Sequence, residues 1–367
     1  MTGTALFVVG AGPQLDAVRR VITHLQRPAQ VFDLDRAVAV APADYEVGSH
    51  VTRATISSLR AVAAATRSWA KSNPDGVLVI PQDVGLSYRR IVAVARKAGL
   101  PIVLLPDGAV SDVKIPQRSL LGGAVPAADA VLRWTGVMAG VHGVMAASKP
   151  DLVLSWGHGW DAIYRSRHVG RITDVGNPRA DDLDSLAPPQ GERVLVCSQP
   201  HWQPTIGGDV AQTAWYAFLE RLVGMAPAGQ IAVRLHPWER DTLDELPVGP
   251  ATRAALTHGT SLHQDISWSG SVLSWASTTM LEAAGARRPV VSVAVNRAAA
   301  DIARSYVFLR DRRMVGVGVD ELVDWSDVLT AVEKARARQT GLAEDYLVNV
   351  GSAAKACAET LDAYSPC

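Results

Sequence analysis

The feature that most constrains this chain is a regular exchange, sustained over its 367 residues, between short apolar runs and longer amphipathic ones. In the first half, near-continuous apolar runs predict strands at 5–9, 30–33, 37–40, 76–80, 102–105 and 152–155. Helical periodicity predicts helices at 15–25, 56–71, 88–97, 135–147 and 161–167. The second half repeats the pattern, with strands at 193–197, 230–235, 271–274, 290–293 and 314–317 and helices at 210–223, 241–245, 278–286 and 298–306. Strands that are apolar on both faces need cover on both, and parallel neighbours need a crossover helix between them. The expected fold class is therefore α/β, two Rossmann-like doubly wound halves. The length favours two domains over one core, and a hydrophobic content of 48% can fill both.

The Pro/Gly-rich stretch Gly176-Asn177-Pro178-Arg179-Ala180-Asp181-Asp182-Leu183, followed by 186–192, reads as an interdomain linker. It sets the expected domains at 1–175 and 176–340. Residues 325–338 and then 343–364 read as helices, with 341–367 as a helical tail.

Charge and cysteine use exclude several classes. Lys+Arg and Asp+Glu both number 36, and the pI is about 7.1, so no global basic field exists for nucleic acid or an anionic membrane. No apolar run approaches the roughly 20 residues of a spanning helix, so membrane association is expected to be peripheral at most. The N-terminal segment breaks at Gly10-Ala11-Gly12-Pro13 without a basic leader and reads as a strand, not a signal peptide. Cys197, Cys357 and Cys367 form no C-x-x-C pair, which fits a reducing, cytoplasmic setting. The sequence has no H-E-x-x-H, calcium-loop, Walker or G-x-S-x-G motif, so no metal is expected.

Chemistry is expected at the C-terminal ends of parallel strands, where ligands of open α/β sheets bind. The run 230–235 ends in His236-Pro237; proline cannot continue the ladder, so His236 is presented at that edge. Arg234 lies two residues earlier and could pair with a phosphate or a structural carboxylate. The next such edge carries Ser274 and then Ser277, Thr278 and Thr279 in the first turn of a helix, where free N–H groups and the dipole favour an anion. Glu282 lies one turn further and could accept from ribose hydroxyls, or could simply face solvent. Ser198 and Gln199 follow the run 193–197. A phosphate held between His236 and the hydroxyl cluster is the central expectation.

In the first half, Asp107-Gly108 follows the run 102–105 and puts a carboxylate where an acceptor hydroxyl could be deprotonated. Asp83 and His158, and less readily Asp112, occupy comparable strand-end positions. The Gly10-x-Gly12 turn lacks the third glycine of a dinucleotide fingerprint, and Pro13 removes an N–H that a pyrophosphate would want, although Asp33 stands about 20 residues on. Trp202, Trp238 and Trp275 flank the expected site and could stack on a base or sugar.

Together, Asp107-Gly108, His236-Pro237 and Ser277-Thr278-Thr279, in that order, resemble the motifs of GT-B glycosyltransferases of the capsule, sialyl and Kdo transferase type. The segment Gly176–Leu183 is similar to the G-x-P-R-x-D-x-L segment of their cousins, the CDP-glycerol glycerophosphotransferases. The resemblance implies two domains facing a central cleft, with the C-terminal helix crossing back onto the first domain. It implies Asp107 as the base, His236 on the donor phosphate, and Arg234, Pro237, Ser198, Gln199, Ser274, Ser277, Thr278, Thr279 and Glu282 around the nucleotide. It further implies an inverting, metal-independent reaction with a nucleotide-sugar donor, such as a CMP-linked ulosonic acid, and a glycan or small-molecule acceptor. The acidic-Gly motif usually carries two acidic residues, whereas Pro106 stands before Asp107 here. Rival readings are a UDP-sugar transferase or sugar-nucleotide 2-epimerase of the same fold, a non-catalytic scaffold, and a nicotinamide oxidoreductase.

Overall fold

The computed structural model describes residues 3–10, 12–34, 51–83, 86–110, 145–167, 169–189, 191–200 and 208–365. The expected strand at 37–40, most of the helix at 135–147, and Asp112 and Trp202 lie outside these residues. The chain divides into two compact units, Met1–Asp181 with Val348–Cys367, and Asp182–Leu347.

Among the described residues, unit 1 holds seven parallel strands: β1 (Ala5–Val9), β2 (Ala29–Leu34), β3 (Val51–Ile56), β4 (Val77–Ile80), β5 (Ile102–Leu104), β6 (Leu152–Ser155) and β7 (Arg171–Asp174), in the order β3-β2-β1-β4-β5-β6-β7. The order reverses between β1 and β4, which is the switch point of a doubly wound sheet. β1, β4, β5 and β6 are buried along their whole length. Helix Ala353–Ala363 at the far end of the chain belongs to this unit. Its Cys357, Ala358 and Leu361 pack into the core with Phe7, Val31 and Val103. Asp362 holds it from the other side, accepting from the amides of Gln26 (3.0 Å) and Arg27 (3.1 Å).

Unit 2 holds β8 (Val194–Cys197), β9 (Ile231–Arg234), β10 (Ser271–Ser274), β11 (Val290–Ala294) and β12 (Val315–Gly318), again all parallel, in the order β12-β11-β10-β8-β9. Here the switch lies between β8 and β10. One face of the sheet packs Val194, Val196, Val291, Val293 and Val315 against Trp215 and Leu219 of helix Asp209–Met225 and against Val328, Val332 and Ala335 of helix Trp325–Arg338.

Several expectations are corrected. β3 and β7 have no counterpart in the sequence reading: Val51-Thr52-Arg53-Ala54-Thr55-Ile56 and Arg171-Ile172-Thr173-Asp174 are the two edge strands of the sheet, and an edge strand does not need a continuous apolar run. Ile56 ends β3, and the following helix is Leu59–Ser72, capped by Ser58 Oγ on the Ala61 amide. The short helices Pro250–Ala254 and Leu262–Trp268 also went unread. The single tail helix becomes two, Leu342–Tyr346 and Ala353–Ala363, because Asn349 (φ 54°) and Gly351 (φ 91°) adopt left-handed conformations between them. Finally, Asp181, in the segment read as a linker, caps a distant helix. Its two oxygens accept from the amides of Ala353 (2.7 Å) and Ala354 (2.9 Å), the first turn of the C-terminal helix. Gly176 is required nearby: its φ is 90°, and a Cβ there would lie 2.2 Å from the Val348 carbonyl oxygen.

Candidate functional site

In unit 1, the strand-end loops converge on Asp107. The Asp107 amide donates to the Pro81 carbonyl (3.2 Å), and Trp156, just past β6, donates its indole N–H to the Pro106 carbonyl (3.1 Å). Pro106, the departure from the family pattern, thus keeps its carbonyl paired where it has no N–H to offer. The carboxylate is held from the helix that follows β1, Gly12–Ile22. Gln14 Nε2 donates to Asp107 Oδ2 (2.5 Å), while Gln14 Oε1 accepts from the Gly10 amide (2.7 Å) and from the Tyr88 hydroxyl (2.7 Å). The first turn of the helix Gly12–Ile22 thus supplies a buried glutamine that orients Asp107. Burial raises the Asp107 pKa above the usual carboxylate range, opposed by the Gln14 hydrogen bond, its own backbone N–H and the charge of Arg179. A half-buried carboxylate with a raised pKa is suited to take a proton near neutrality.

The other base candidates sit differently. Asp83 is buried, and both its oxygens accept backbone amides, from Ala146 and Ser148, each at 2.7 Å. Those bonds occupy it structurally and fix the turn at 145–148. His158 is exposed, at the start of the turn His158–Trp160. Asp33 is buried at the end of β2.

In unit 2, His236 follows β9 and precedes the short helix Pro237–Asp241. Its backbone amide donates to Glu239 Oε2 (2.9 Å), the return half of a capping box in which Pro237 holds the first helical position. The other oxygen, Glu239 Oε1, accepts from Ser198 Oγ (2.9 Å), Tyr216 OH (2.8 Å) and Gln212 Nε2 (3.4 Å). Ser198 Oγ in turn accepts from the Trp215 indole (2.8 Å). Glu239 is 2% exposed, and burial raises its pKa against the pull of these donors. The His236 turn is thus fastened to the loop after β8 and to helix Asp209–Met225. His236 itself is half-buried, and desolvation lowers its pKa, so its imidazole is neutral at pH 7.

The remaining expected residues separate into two groups. Ser277 Oγ accepts from the Thr279 amide (3.2 Å) at the start of helix Thr279–Gly285, with Thr278 and Thr279 half-buried beside it. Gln199 is half-buried in the loop after β8, and Pro237 is exposed. The second group is buried or paired within the fold. Ser274 is fully buried and donates to the Cys197 carbonyl (2.7 Å), tying β10 to β8. Ser198 is buried within the Glu239 network, which makes it a positioning residue. Arg234 pairs with the structural carboxylate of Asp265 (2.5 Å) and with the Thr260 carbonyl (3.1 Å), which resolves the choice its position left open. Glu282 is 1% exposed, which rules out the solvent-facing reading. The Trp275 indole donates to the Ala299 carbonyl (2.9 Å), so it packs instead of stacking.

Glu239 and Gln14 escaped the sequence reading. Half of a signal for the first existed: a glutamate three residues after the N-cap, at the N3 position of a capping box, with His236 standing where the pattern has Ser or Thr. For Gln14 there was none, because its partners Asp107 and Tyr88 lie 93 and 74 residues away.

Among the described residues, no group of three His, Cys, Asp or Glu is arranged to hold a metal, and no helix is long and apolar enough to cross a membrane. No protein-family model and no curated protein matches the sequence. Solved structures do resemble it. The wall teichoic acid polymerase TagF, soaked with CDPG, superimposes with a TM-score of 0.60 at 13% identity, covering 98% of this chain and 87% of that one. The UDP-GlcNAc 2-epimerase of Methanocaldococcus jannaschii gives 0.55 at 10% identity over 98% and 99% of the two chains. MnaA of S. aureus, in a structure with UDP, gives 0.52 at 10% identity over 96% and 94%. What these likenesses establish is the fold: the chain is an α/β protein of two Rossmann-like domains of the GT-B type.

Proposed function

We propose that this protein is a nucleotide-sugar-dependent glycosyltransferase that binds its donor through His236 and activates its acceptor through Asp107. The observation that carries the reading is the placement of His236: a half-buried, neutral imidazole at the C-terminal end of β9, the edge strand next to β8 in an all-parallel sheet, with its turn locked by a buried glutamate. Such a group donates a hydrogen bond to the phosphate and strengthens it as negative charge develops on the leaving nucleotide. Ser277, Thr278 and Thr279 supply further donors at the next strand end. Asp107 takes the proton of the acceptor hydroxyl as its oxygen bonds to the anomeric carbon and the bond from that carbon to the phosphate oxygen breaks, with inversion. No step requires a metal, since protein donors carry the charge.

The order of Asp107-Gly108, His236-Pro237 and Ser277-Thr278-Thr279, with the Gly176–Leu183 segment, favours a donor of the capsule, sialyl or Kdo transferase kind, a CMP-linked ulosonic acid. The acceptor is a glycan or a small molecule bearing a hydroxyl. The test is a donor-consumption assay with CMP- and UDP-linked sugars and mixed glycan acceptors. Wild type turns over a donor only with acceptor present, and Asp107→Ala abolishes turnover while nucleotide affinity stays within about threefold. Equal turnover in wild type and Asp107→Ala refutes the assignment of the base.

A second reading, a sugar-nucleotide 2-epimerase, draws on the end-to-end match to the archaeal epimerase, 98% and 99% of the two chains. It predicts conversion of UDP-N-acetylglucosamine with no acceptor added, an outcome the transferase reading forbids.

A further inference from the structure

We infer that unit 2 carries a second small-molecule site, a groove over β11 and β12 that recognises a nucleotide through the backbone of Gly316. A cavity of about 680 Å³ opens there, within the range of ligand pockets. Its floor is the sheet face opposite to the one covered by helix Trp325–Arg338. The strand register pairs Ser292 with Gly316 and Ala294 with Gly318, so this face presents only small residues beside the valine-lined opposite face. Helix Arg297–Ala303 forms one wall with Ala300 and Ala303, and Leu309 and Met314 close the apolar end.

The edge of β12 supplies the recognition. The Val319 amide donates to the Ala294 carbonyl of β11 (3.1 Å), so by strand alternation the N–H and C=O of residues 316 and 318 point away from β11. Gly318 has both groups satisfied by one residue: its amide donates to Glu321 Oε1 (2.7 Å), and its carbonyl accepts from the Glu321 amide (3.1 Å). That contact blocks extension of the sheet by a further strand. Gly316 is exposed, and its N–H and C=O have no partner among the described residues. One open donor and acceptor, flanked by a blocked pair, suits the edge of a planar heterocycle better than a peptide strand.

Gly316 also lacks a packing reason to be glycine. A Cβ built there meets nothing closer than the Ser292 carbonyl oxygen at 4.0 Å, so the space above it lies open for an occupant. The rim matches the rest of a nucleotide. Arg297 is exposed on the wall helix and can reach a phosphate, Arg304 beside it pairs with Asp301 (2.8 Å) at the surface and can exchange that partner for one, and Asp320 at the strand's C-terminal end can accept from a ribose hydroxyl. All these residues belong to unit 2; the groove lies over β11 and β12, and β10, whose end carries Ser277, is the neighbouring strand.

The test is isothermal titration of AMP, CMP, GMP and UMP into the intact protein, its His236→Ala variant and its Gly316→Val variant. Valine suits a strand and has room at 316, so the fold should survive; unchanged circular dichroism and melting temperature confirm it. The groove predicts that at least one nucleotide binds once per chain in His236→Ala, and that Gly316→Val introduced into that background weakens it at least tenfold. If His236→Ala abolishes all nucleotide binding, the groove is refuted while the transferase reading stands. If Gly316→Val leaves the residual affinity unchanged, or no nucleotide binds any form, the inference is likewise overturned. A nucleotide lost in Gly316→Val but indifferent to His236→Ala would uphold the groove and remove His236 from the donor site.

Discussion

Asp107 concentrates the tension between stability and function. Because its folded pKa is raised, the folded state binds more protons than the unfolded one at pH values between the unfolded and folded pKa, and stability falls as pH rises through that window. Replacing the carboxylate by a neutral amide removes this cost. Asp107→Asn is therefore expected to raise the melting temperature at pH 7 while cutting turnover by about 10²–10⁴, and its stability advantage should vanish as the pH is lowered below 4. Thermal melts from pH 4 to 8 check the sign. His236 works in the opposite sense. Its pKa is lowered by desolvation, and a bound phosphate would raise it, so nucleotide binding should take up protons and tighten as pH falls from 8 toward 6. Calorimetry in two buffers of different ionisation enthalpy reads the uptake directly. Glu239 is the residue whose loss should cost most. Glu239→Gln turns one of the two acceptor oxygens into an amide donor, facing either the hydroxyls of Ser198 and Tyr216 or the His236 amide, so about 1–3 kcal/mol of stability should disappear in denaturant melts, along with much of the nucleotide affinity. At this scale the sequence revealed residues placed by strand ends, such as His236 and Asp107. It concealed those that act through distant partners, such as Gln14, and it could not tell a ligand-facing hydroxyl from one spent on the sheet, such as Ser274.

The central strands were the most readable elements, because burial on both faces writes itself as an unbroken apolar run in β1, β4 and β5. β3 and β7 were unreadable for the converse reason: at a sheet edge, polar residues such as Thr52 and Thr173 are tolerated, and the alternation is diluted. Helix Trp325–Arg338 was legible to its ends, since Asp324 and Asp327 form a capping box that marks its start. The C-terminal helix was legible as a helix but not in its capping, because the Asp181 carboxylate that receives its first amides lies 172 residues upstream. Asp181→Ala is expected to cost about 0.5–2 kcal/mol and to accelerate hydrogen exchange at Ala353 and Ala354 ahead of the rest of unit 1. Exchange rates there equal to wild type would show that the cap contributes nothing.

For the molecule as a whole, the pattern of alternation sufficed for the fold class, two doubly wound parallel sheets, and the structural likenesses agree. The sequence placed boundaries at 175/176 and 340/341, whereas the compact units divide at Asp181/Asp182 and Leu347/Val348. The difference is physical. Gly176–Leu183 is not a free tether: Val175, Asn177, Ala180 and Leu183 are buried, and the turn Pro178–Leu183 carries the cap of the last helix. A composition rich in proline and glycine marks such a turn as well as it marks a linker. The central claim is that a nucleotide phosphate is held at the strand ends of unit 2 by His236. The most direct test is a thermal-shift and calorimetric panel of CMP, CDP, UMP, UDP, GDP and NAD against wild type and His236→Ala, with and without EDTA. The structure predicts that a pyrimidine nucleotide raises the melting temperature of wild type by mass action, insensitive to EDTA, and that His236→Ala removes one binding event per chain without lowering the melting temperature of the free protein. A response to NAD alone, no response at all, or identical binding in both proteins would contradict it.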